Sequence, residues 1–229
     1  MVVYKKNKNL IIFGTGLIAE EIYNYFSKDS NYTVHAFVKD KKYIKEKKFL
    51  NLPVVSFENV EKKYNPKIFE AFIAVGYTEM NDLRSKKFNE FKKKKYKLAN
   101  YISSKSSVIN PQKNYENCVV LENSTIQSTA TIGKNVFVWA NNLIGHHVKI
   151  LDNVYISGNC TIAGSSIIGK NSFLGVGSTI SHGIKLSEKC VIGANCLVTK
   201  NLKKNSVVVE QSSKIIETKN LDLLNKIIK

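Results

Sequence analysis
From Val120 to Val198 an aliphatic residue returns at every sixth position without a slip: Val120, Ile126, Ile132, Val138, Ile144, Ile150, Ile156, Ile162, Ile168, Leu174, Ile180, Leu186, Ile192 and Val198. Four residues after each stands a second, mostly small set, which includes Ser124, Ala130, Val136, Asn142, Cys160, Ser178 and Cys196. A helix repeats near 3.6 residues and a half-buried strand near 2, so neither sustains a period of six. A solenoid of very short strands does. The aliphatic residue points inward, the small one fills a tight corner, and the rest face solvent.

The first hundred residues follow a different pattern. Leu10–Phe13 is a buried-strand run ending in Gly14-Thr15-Gly16-Leu17-Ile18-Ala19, and an amphipathic helix is expected from there to about Phe26. Strands are expected at Thr33–Val38, Val54–Val55 and Ile68–Val75, a helix from about Glu79 to Lys94, and a last strand near Tyr96–Ile102. Alternating strands and helices imply a small parallel sheet with helices on its faces. Gly14 and Gly16 let the first strand turn sharply into a helix whose free N–H groups can hold a phosphate. Ala19 stands at the third small position of G-x-G-x-x-G/A, and Asp40, after Lys39, is near the end of the second strand, where an acidic residue would hold a ribose. The expected organisation is a Rossmann-like α/β unit over residues 1–104, a β-helix over 105–214 and a C-terminal helix over 215–229, where Ile215, Ile216, Leu221, Leu224, Ile227 and Ile228 have helical spacing.

Composition narrows the class. The chain has 229 residues and a net charge of +17, from 35 Lys+Arg against 18 Asp+Glu. Nearly all the base is lysine, and aromatic residues are not interleaved with the runs Lys41–Lys48 and Lys92–Lys97 as a stacking platform for nucleic acid requires. No nucleic-acid partner is expected; a field that steers phosphorylated substrates is. No stretch approaches the 18 apolar residues of a membrane span and no signal-peptide core is present, so the expected location is the cytoplasm, with no membrane insertion. Cys118, Cys160, Cys190 and Cys196 share the small-corner phase of the hexad and show no CxxC spacing, which favours compact buried thiols over a metal or disulfide framework.

The hexads Ile132-Gly133-Lys134-Asn135-Val136, Ile144-Gly145-His146-His147-Val148, Ile168-Gly169-Lys170-Asn171-Ser172 and Ile192-Gly193-Ala194-Asn195-Cys196 resemble the repeat of left-handed β-helix acyltransferases. With the glycine loop and with Ala74-Val75-Gly76-Tyr77-Thr78 and Arg84, the chain resembles sugar-nucleotide acetyltransferases of the sialic-acid and bacillosamine-pathway type over nearly its whole length. The resemblance implies three hexads per triangular coil, a homotrimer, and acetyl transfer from acetyl-CoA to an amino sugar linked to a nucleotide, by direct attack and without a metal. It implies that Gly14, Gly16, Leu17, Lys39, Asp40, Gly76, Tyr77, Arg84, Trp139 and Asn142 contact the nucleotide sugar. It further implies that the coenzyme lies between neighbouring coils, against Tyr155, Gly164, Gly175, His182, Gly193 and Lys214. Asn142 is the plainly polar amide in the corner series, either a capped turn or a substrate ligand. Of the Gly-x-Pro-Ala-Lys segment usual after the last coil, only Lys214 is retained.

His146 and His147 fall at the third and fourth positions of one hexad, where the coil turns and side chains project outward. In the resembling family the third-position histidine is the general base, and an acidic residue often follows it; here that place is His147. Imidazole, with an ordinary pKa of about 6.5, is suited to take the proton lost by an attacking amine or hydroxyl. Either His147 is the base beside His146, or another group fixes the His146 tautomer. Alternatives are an O-acetyltransferase, a non-catalytic nucleotide-sugar module, and a metal-dependent hydration enzyme like the γ-class carbonic anhydrases. For the last, His182 lies two coils after His146, roughly 10 Å away at about 4.8 Å per rung. A third histidine five residues on is replaced by Ser187.

Overall fold
The computed structural model describes residues 4–109 and 115–210. Lys214 and the helix expected over 215–229 lie outside them.

The first unit is built on β1 (Lys8–Phe13), α1 (Leu17–Lys28), β2 (Tyr32–Lys39), β3 (Lys48–Phe49), β4 (Leu52–Ser56), α2 (Val60–Lys63), β5 (Phe69–Ile73) and α3 (Asp82–Lys93). The strand order is β3-β4-β2-β1-β5, parallel except where β3 turns back on β4. β1 lies inside the sheet between β2 and β5, and its four apolar residues are buried on both faces, as a strand covered on both sides must be. Ala19, Ile22 and Phe26 of α1 pack on one face with Leu10, Ile12 and Phe72. Phe57, Val60, Phe91 and Tyr96 pack on the other with Ile11, Phe13 and Ile73.

Two elements differ from the expected ones. The third helix begins at Asp82 rather than Glu79, because Glu79, Met80 and Asn81 have φ of 52°, 53° and 66°, a left-handed approach that no α-helix can include. The stretch expected as a last strand, Tyr96–Ile102, is divided. Leu98 makes a single bridge to Ala71 at the edge of the sheet, and Tyr101–Ile102 pairs with Val119–Val120 as the first rung of the next unit.

That unit is a left-handed parallel β-helix with rungs of two residues. From Tyr101 to Val198 each rung pairs with the one 18 residues on, so that Phe137 lies between Val119 and Tyr155 and Ile144 between Ile126 and Ile162; the last coil is two residues shorter, with Val191 paired to Val207 and Leu186 bridged to Leu202. The inward series Ile144, Ile150, Ile156, Ile162, Ile168, Leu174, Ile180, Leu186 and Ile192 is at most 1% exposed. All four cysteines are free and buried at corners, and burial raises the Cys118 thiol to about 11.

At almost every corner the residue before the small one takes a left-handed conformation. In the first column these are Asn117, Asn135, Asn153, Asn171 and Lys189; in the second, Asn123, Asn141, Asn159, Gly177 and Asn195. Asparagine and glycine tolerate this backbone best, which explains their recurrence. In the first column the amides also bond to one another. Asn117 Nδ2 donates to Asn135 Oδ1 (2.7 Å), Asn135 Nδ2 to Asn153 Oδ1 (2.8 Å) and Asn153 Nδ2 to Asn171 Oδ1 (3.1 Å). The ladder ends on the first unit: Asn117 Oδ1 accepts from the Ile73 N–H (2.7 Å), and Asn171 Nδ2 donates to Asp82 Oδ1 (2.8 Å).

The α/β unit lies on the prism face between these two columns. Phe137, Tyr155 and Phe173 form an outward aromatic stack there, with ring centroids 5.9 and 5.8 Å apart. Phe72 of β5 stacks on Phe137 at 5.8 Å.

Candidate active site
The third column of corners breaks the asparagine pattern. Its left-handed residues are His147 (φ 58°), Ser165 and Gly183, and the residues just before them are His146, Gly164 and His182. The His147 N–H donates to Thr129 Oγ1 one coil away (2.9 Å), and Ser165 N–H donates to the His146 carbonyl (2.8 Å), so the histidine backbone is held from both sides. His146 Nδ1 and His147 Nδ1 are 3.1 Å apart, with the rings nearly perpendicular at 81°. Both side chains are exposed.

Gly164 lies one coil beyond His146. A Cβ there would fall 2.4 Å from His146 Cε1 and 2.5 Å from Nε2, so the imidazole fills the space that glycine leaves. His182, on the next coil, reaches into the same space. Its ring centroid is 6.0 Å from that of His146, well inside the two-rung spacing expected from sequence, because no side chain stands between them. Gly164 therefore sets the histidine geometry, whereas the sequence suggested a coenzyme contact. Among the described residues no group of three or more His, Cys, Asp or Glu side chains is arranged to hold a metal.

Several expected ligands turn out to hold the two units together. Arg84 is fully buried between them and donates to five oxygens: Gly76 O, Asn81 Oδ1, Asn135 O, Asn153 O and Val154 O. Its guanidinium lies 4.6 Å from the Phe137 ring centroid, and burial lowers its pKa to about 9. It is a fastening rather than a substrate contact. Tyr155, 5% exposed beneath the α/β unit, is likewise withdrawn from any coenzyme between coils.

Asn142 is a capped turn. Its Nδ2 donates to Trp139 O (2.5 Å) and its Oδ1 accepts from the Cys160 N–H (2.8 Å), which leaves it committed inside the coil. Trp139 is half-buried in the inter-unit core with its indole N–H unpartnered. Gly175 sits where a Cβ would be 2.7 Å from Ala194 N, and Gly193 where one would be 3.1 Å from Val208 O, so both serve coil-to-coil contact.

The glycine loop is open. Gly14 has φ +120° and a Cβ on it would meet Ala74 O at 2.9 Å, so glycine is required there. Gly16 caps α1 with nothing within 4 Å of a Cβ, and Leu17 is 85% exposed. Gly76 closes the loop against Ile18, and half-exposed Tyr77 packs edge-on to Tyr155 and on Phe173. Asp40 is less free than its position suggests, since Oδ1 takes a hydrogen bond from buried Lys87 (2.5 Å). Lys39 faces Glu46 at 3.5 Å. The loop and the histidine column lie on different sides of the prism: the α/β unit covers the face between the first and second corners, and the histidines are at the third.

Residues 9–91 match the family model described as the PglD N-terminal domain, and residues 114–226 match that of the GMPPB C-terminal domain. No curated protein matches the chain. Among solved structures, the acetyltransferase domain of PglB from Neisseria gonorrhoeae FA1090 in complex with acetyl coenzyme A aligns with a TM-score of 0.76 at 18% identity, covering 88% of this chain and 95% of that one. The chain has the fold of this acetyltransferase domain. A variant of perosamine N-acetyltransferase from Caulobacter crescentus in complex with CoA and GDP-perosamine aligns with a TM-score of 0.73 at 19% identity, covering 87% and 92%. WeeI from Acinetobacter baumannii AYE aligns with a TM-score of 0.75 at 17% identity, covering 92% of this chain and 100% of that one. Thr129 belongs with the histidines although the hexad does not single it out; its signal is register, 18 residues before His147.

Proposed function
We propose that the protein is an acetyl-CoA-dependent N-acetyltransferase acting on a nucleotide-linked amino sugar, with His146 as general base. The observation that carries the reading is the pair His146–His147, displayed over Gly164 at the corner column that abandons asparagine. A scaffold whose other two columns carry asparagine at every left-handed corner but Gly177 and Lys189 has no packing reason to place two imidazoles and a missing side chain together.

In the proposed reaction the amine nitrogen attacks the thioester carbonyl carbon. His146 Nε2 takes the amine proton, the C–S bond breaks as the tetrahedral intermediate collapses, and the proton passes to the departing thiolate. The products are an acetamido sugar and free CoA. The acetyltransferases of like fold are structures with acetyl coenzyme A, or with CoA and GDP-perosamine, which supports this pair of substrates.

A homotrimer fits the geometry. The α/β unit that carries the glycine loop packs on the prism face opposite the histidine corner, so a neighbouring copy is the natural source of the nucleotide sugar for each His146. The outward column Leu143, Thr161, Thr179, Leu197 is paired in register, and Leu143 and Leu197 are 42% and 60% exposed, which provides an apolar surface for that contact. No helix among the described residues is long and apolar enough to cross a membrane.

The test is free-thiol release from acetyl-CoA with a panel of UDP-, GDP- and dTDP-linked 4-amino-6-deoxy sugars. Release with one member, lost by about 10²–10⁴-fold in His146→Ala, is the expected result. No release with any amino sugar, while acetyl-CoA binds, overturns the N-acetyl reading.

A further inference from the structure
Two imidazole nitrogens 3.1 Å apart have room for one proton between them. One Nδ1 carries hydrogen and the other offers its lone pair. The outer nitrogens then follow: the donor ring has a bare Nε2, and the acceptor ring has an Nε2–H. Only one of the two histidines can therefore act as a base at a time.

We infer that His147 is the acceptor and a positioning residue: its Nδ1 lone pair holds the His146 Nδ1–H, so that His146 presents a bare Nε2. His146 is the ring given space, since its Nε2 stands where the side chain of residue 164 would be. His147 is fixed by its backbone, left-handed and bonded to Thr129, and its imidazole turns back to its neighbour. This inference rests on the acetyltransferase reading for its catalytic meaning and on geometry alone for the proton arrangement.

An imidazole acceptor behaves unlike a carboxylate. When His146 Nε2 takes a proton, the Nδ1–H···Nδ1 contact persists and becomes charge-assisted, so the cation formed during reaction is stabilised. A second proton goes to the His147 Nδ1 lone pair, leaves two donors facing each other and breaks the contact. The titratable side chain in ring contact with the pair is His182. Thr129 and Ser165 are its uncharged neighbours, and among the described residues no carboxylate lies within ion-pair distance of any of the three rings.

The deciding experiment needs no substrate. Two-bond ¹H–¹⁵N correlation spectra of ¹⁵N-histidine-labelled full-length protein, assigned with His146→Ala and His147→Ala, are recorded from about pH 5 to 9, across the ordinary imidazole range. Expected are a bare Nε2 on His146 and a protonated Nε2 on His147 at high pH, with one proton entering the pair well before the second. The reverse tautomers, or two rings titrating independently, overturn the inference even if acetyl transfer is observed. The expected spectra sustain it even if no acetyl acceptor is found.

Where acetyl transfer is measurable, His147→Ala is expected to lower kcat on the order of 10- to 100-fold with little change in KM, short of the full loss of the base. His147→Glu should recover most of this, because a carboxylate accepts the same hydrogen bond. Its log(kcat/KM) should fall toward low pH with a limiting slope one unit shallower than that of the wild type. Equal slopes, or an unchanged kcat in His147→Ala, exclude the positioning role.

Discussion
His146 lies against Gly164, eighteen residues further along the chain, at a distance that a single methyl group would close: the added Cβ would come within 2.4 Å of the ring. The neighbour that must yield is the end of a side chain rather than backbone. Gly164→Ala is therefore expected to fold with a near-normal melting temperature while turning His146 out of place. A misplacement of about 1 Å costs on the order of 10²-fold in kcat. A full-rate Gly164→Ala enzyme would show that the ring position is unimportant.

Arg84 provides a test of the fastening between the two units. Arg84→Met removes a buried donor from five oxygens and should destabilise the protein by about 3 kcal/mol or more, read from urea unfolding. Arg84→Lys should rescue little, because one ammonium cannot span acceptors on both units as a planar fork does. Full rescue by lysine contradicts that role.

The asparagine ladder separates a backbone effect from an amide effect. Asn135 is left-handed (φ 59°) and both donates and accepts in the ladder. Asn135→Ala should cost about 2–3 kcal/mol, the left-handed penalty plus lost hydrogen bonds, and Asn135→Gly roughly 1 kcal/mol less. Equal costs in thermal or chemical unfolding would assign the whole effect to the amide.

Asp29 joins α1 to the start of the β-helix, accepting from Tyr101 Oη (2.7 Å) and the Ser104 N–H (2.9 Å). Partial burial works against its charge, but the hydrogen bonds from Tyr101 and Ser104 outweigh burial and hold its pKa below the ordinary carboxylate value. A depressed folded pKa stabilises above the unfolded value and is lost as pH falls through the folded one. Asp29→Asn should thus be about 1 kcal/mol less stable than wild type at pH 7, with the gap closing below about pH 4. A gap that does not narrow at all as pH falls below about 4 would mean that charge is not its source.

Sedimentation tests assembly. The wild type is expected to sediment as a trimer, and Leu143→Glu with Leu197→Glu as smaller species, since both side chains are outward and paired in one column. A monomeric wild type would remove the proposed partner contribution to the site.

Register made the β-helix legible. Val120 to Val198 marks every inward position, and the same count brings His146, Gly164 and His182 to one column. The helix of the glycine loop was readable for a similar local reason. What a single sequence does not reveal is which side of the prism the α/β unit covers. The family resemblance implies ligand roles for Arg84 and Tyr155, yet both are buried where residues some 50 to 70 positions apart converge. Asn142 looked available because the Cys160 N–H that it satisfies comes from the next coil. The 6.0 Å approach of His146 and His182 depends on side chains leaning into a gap, which rung spacing alone does not describe.

In the proposed trimer, where each histidine corner takes its nucleotide sugar from the glycine loop of a neighbouring copy, the arrangement has a genetic consequence: two defective alleles would repair each other. Chains carrying His146→Ala keep a working loop, and chains with Gly14 replaced keep a working histidine. Co-assembled at random in equal amounts, about one site in four of a closed three-fold ring pairs an intact loop with an intact histidine. Neither parent alone has any such site.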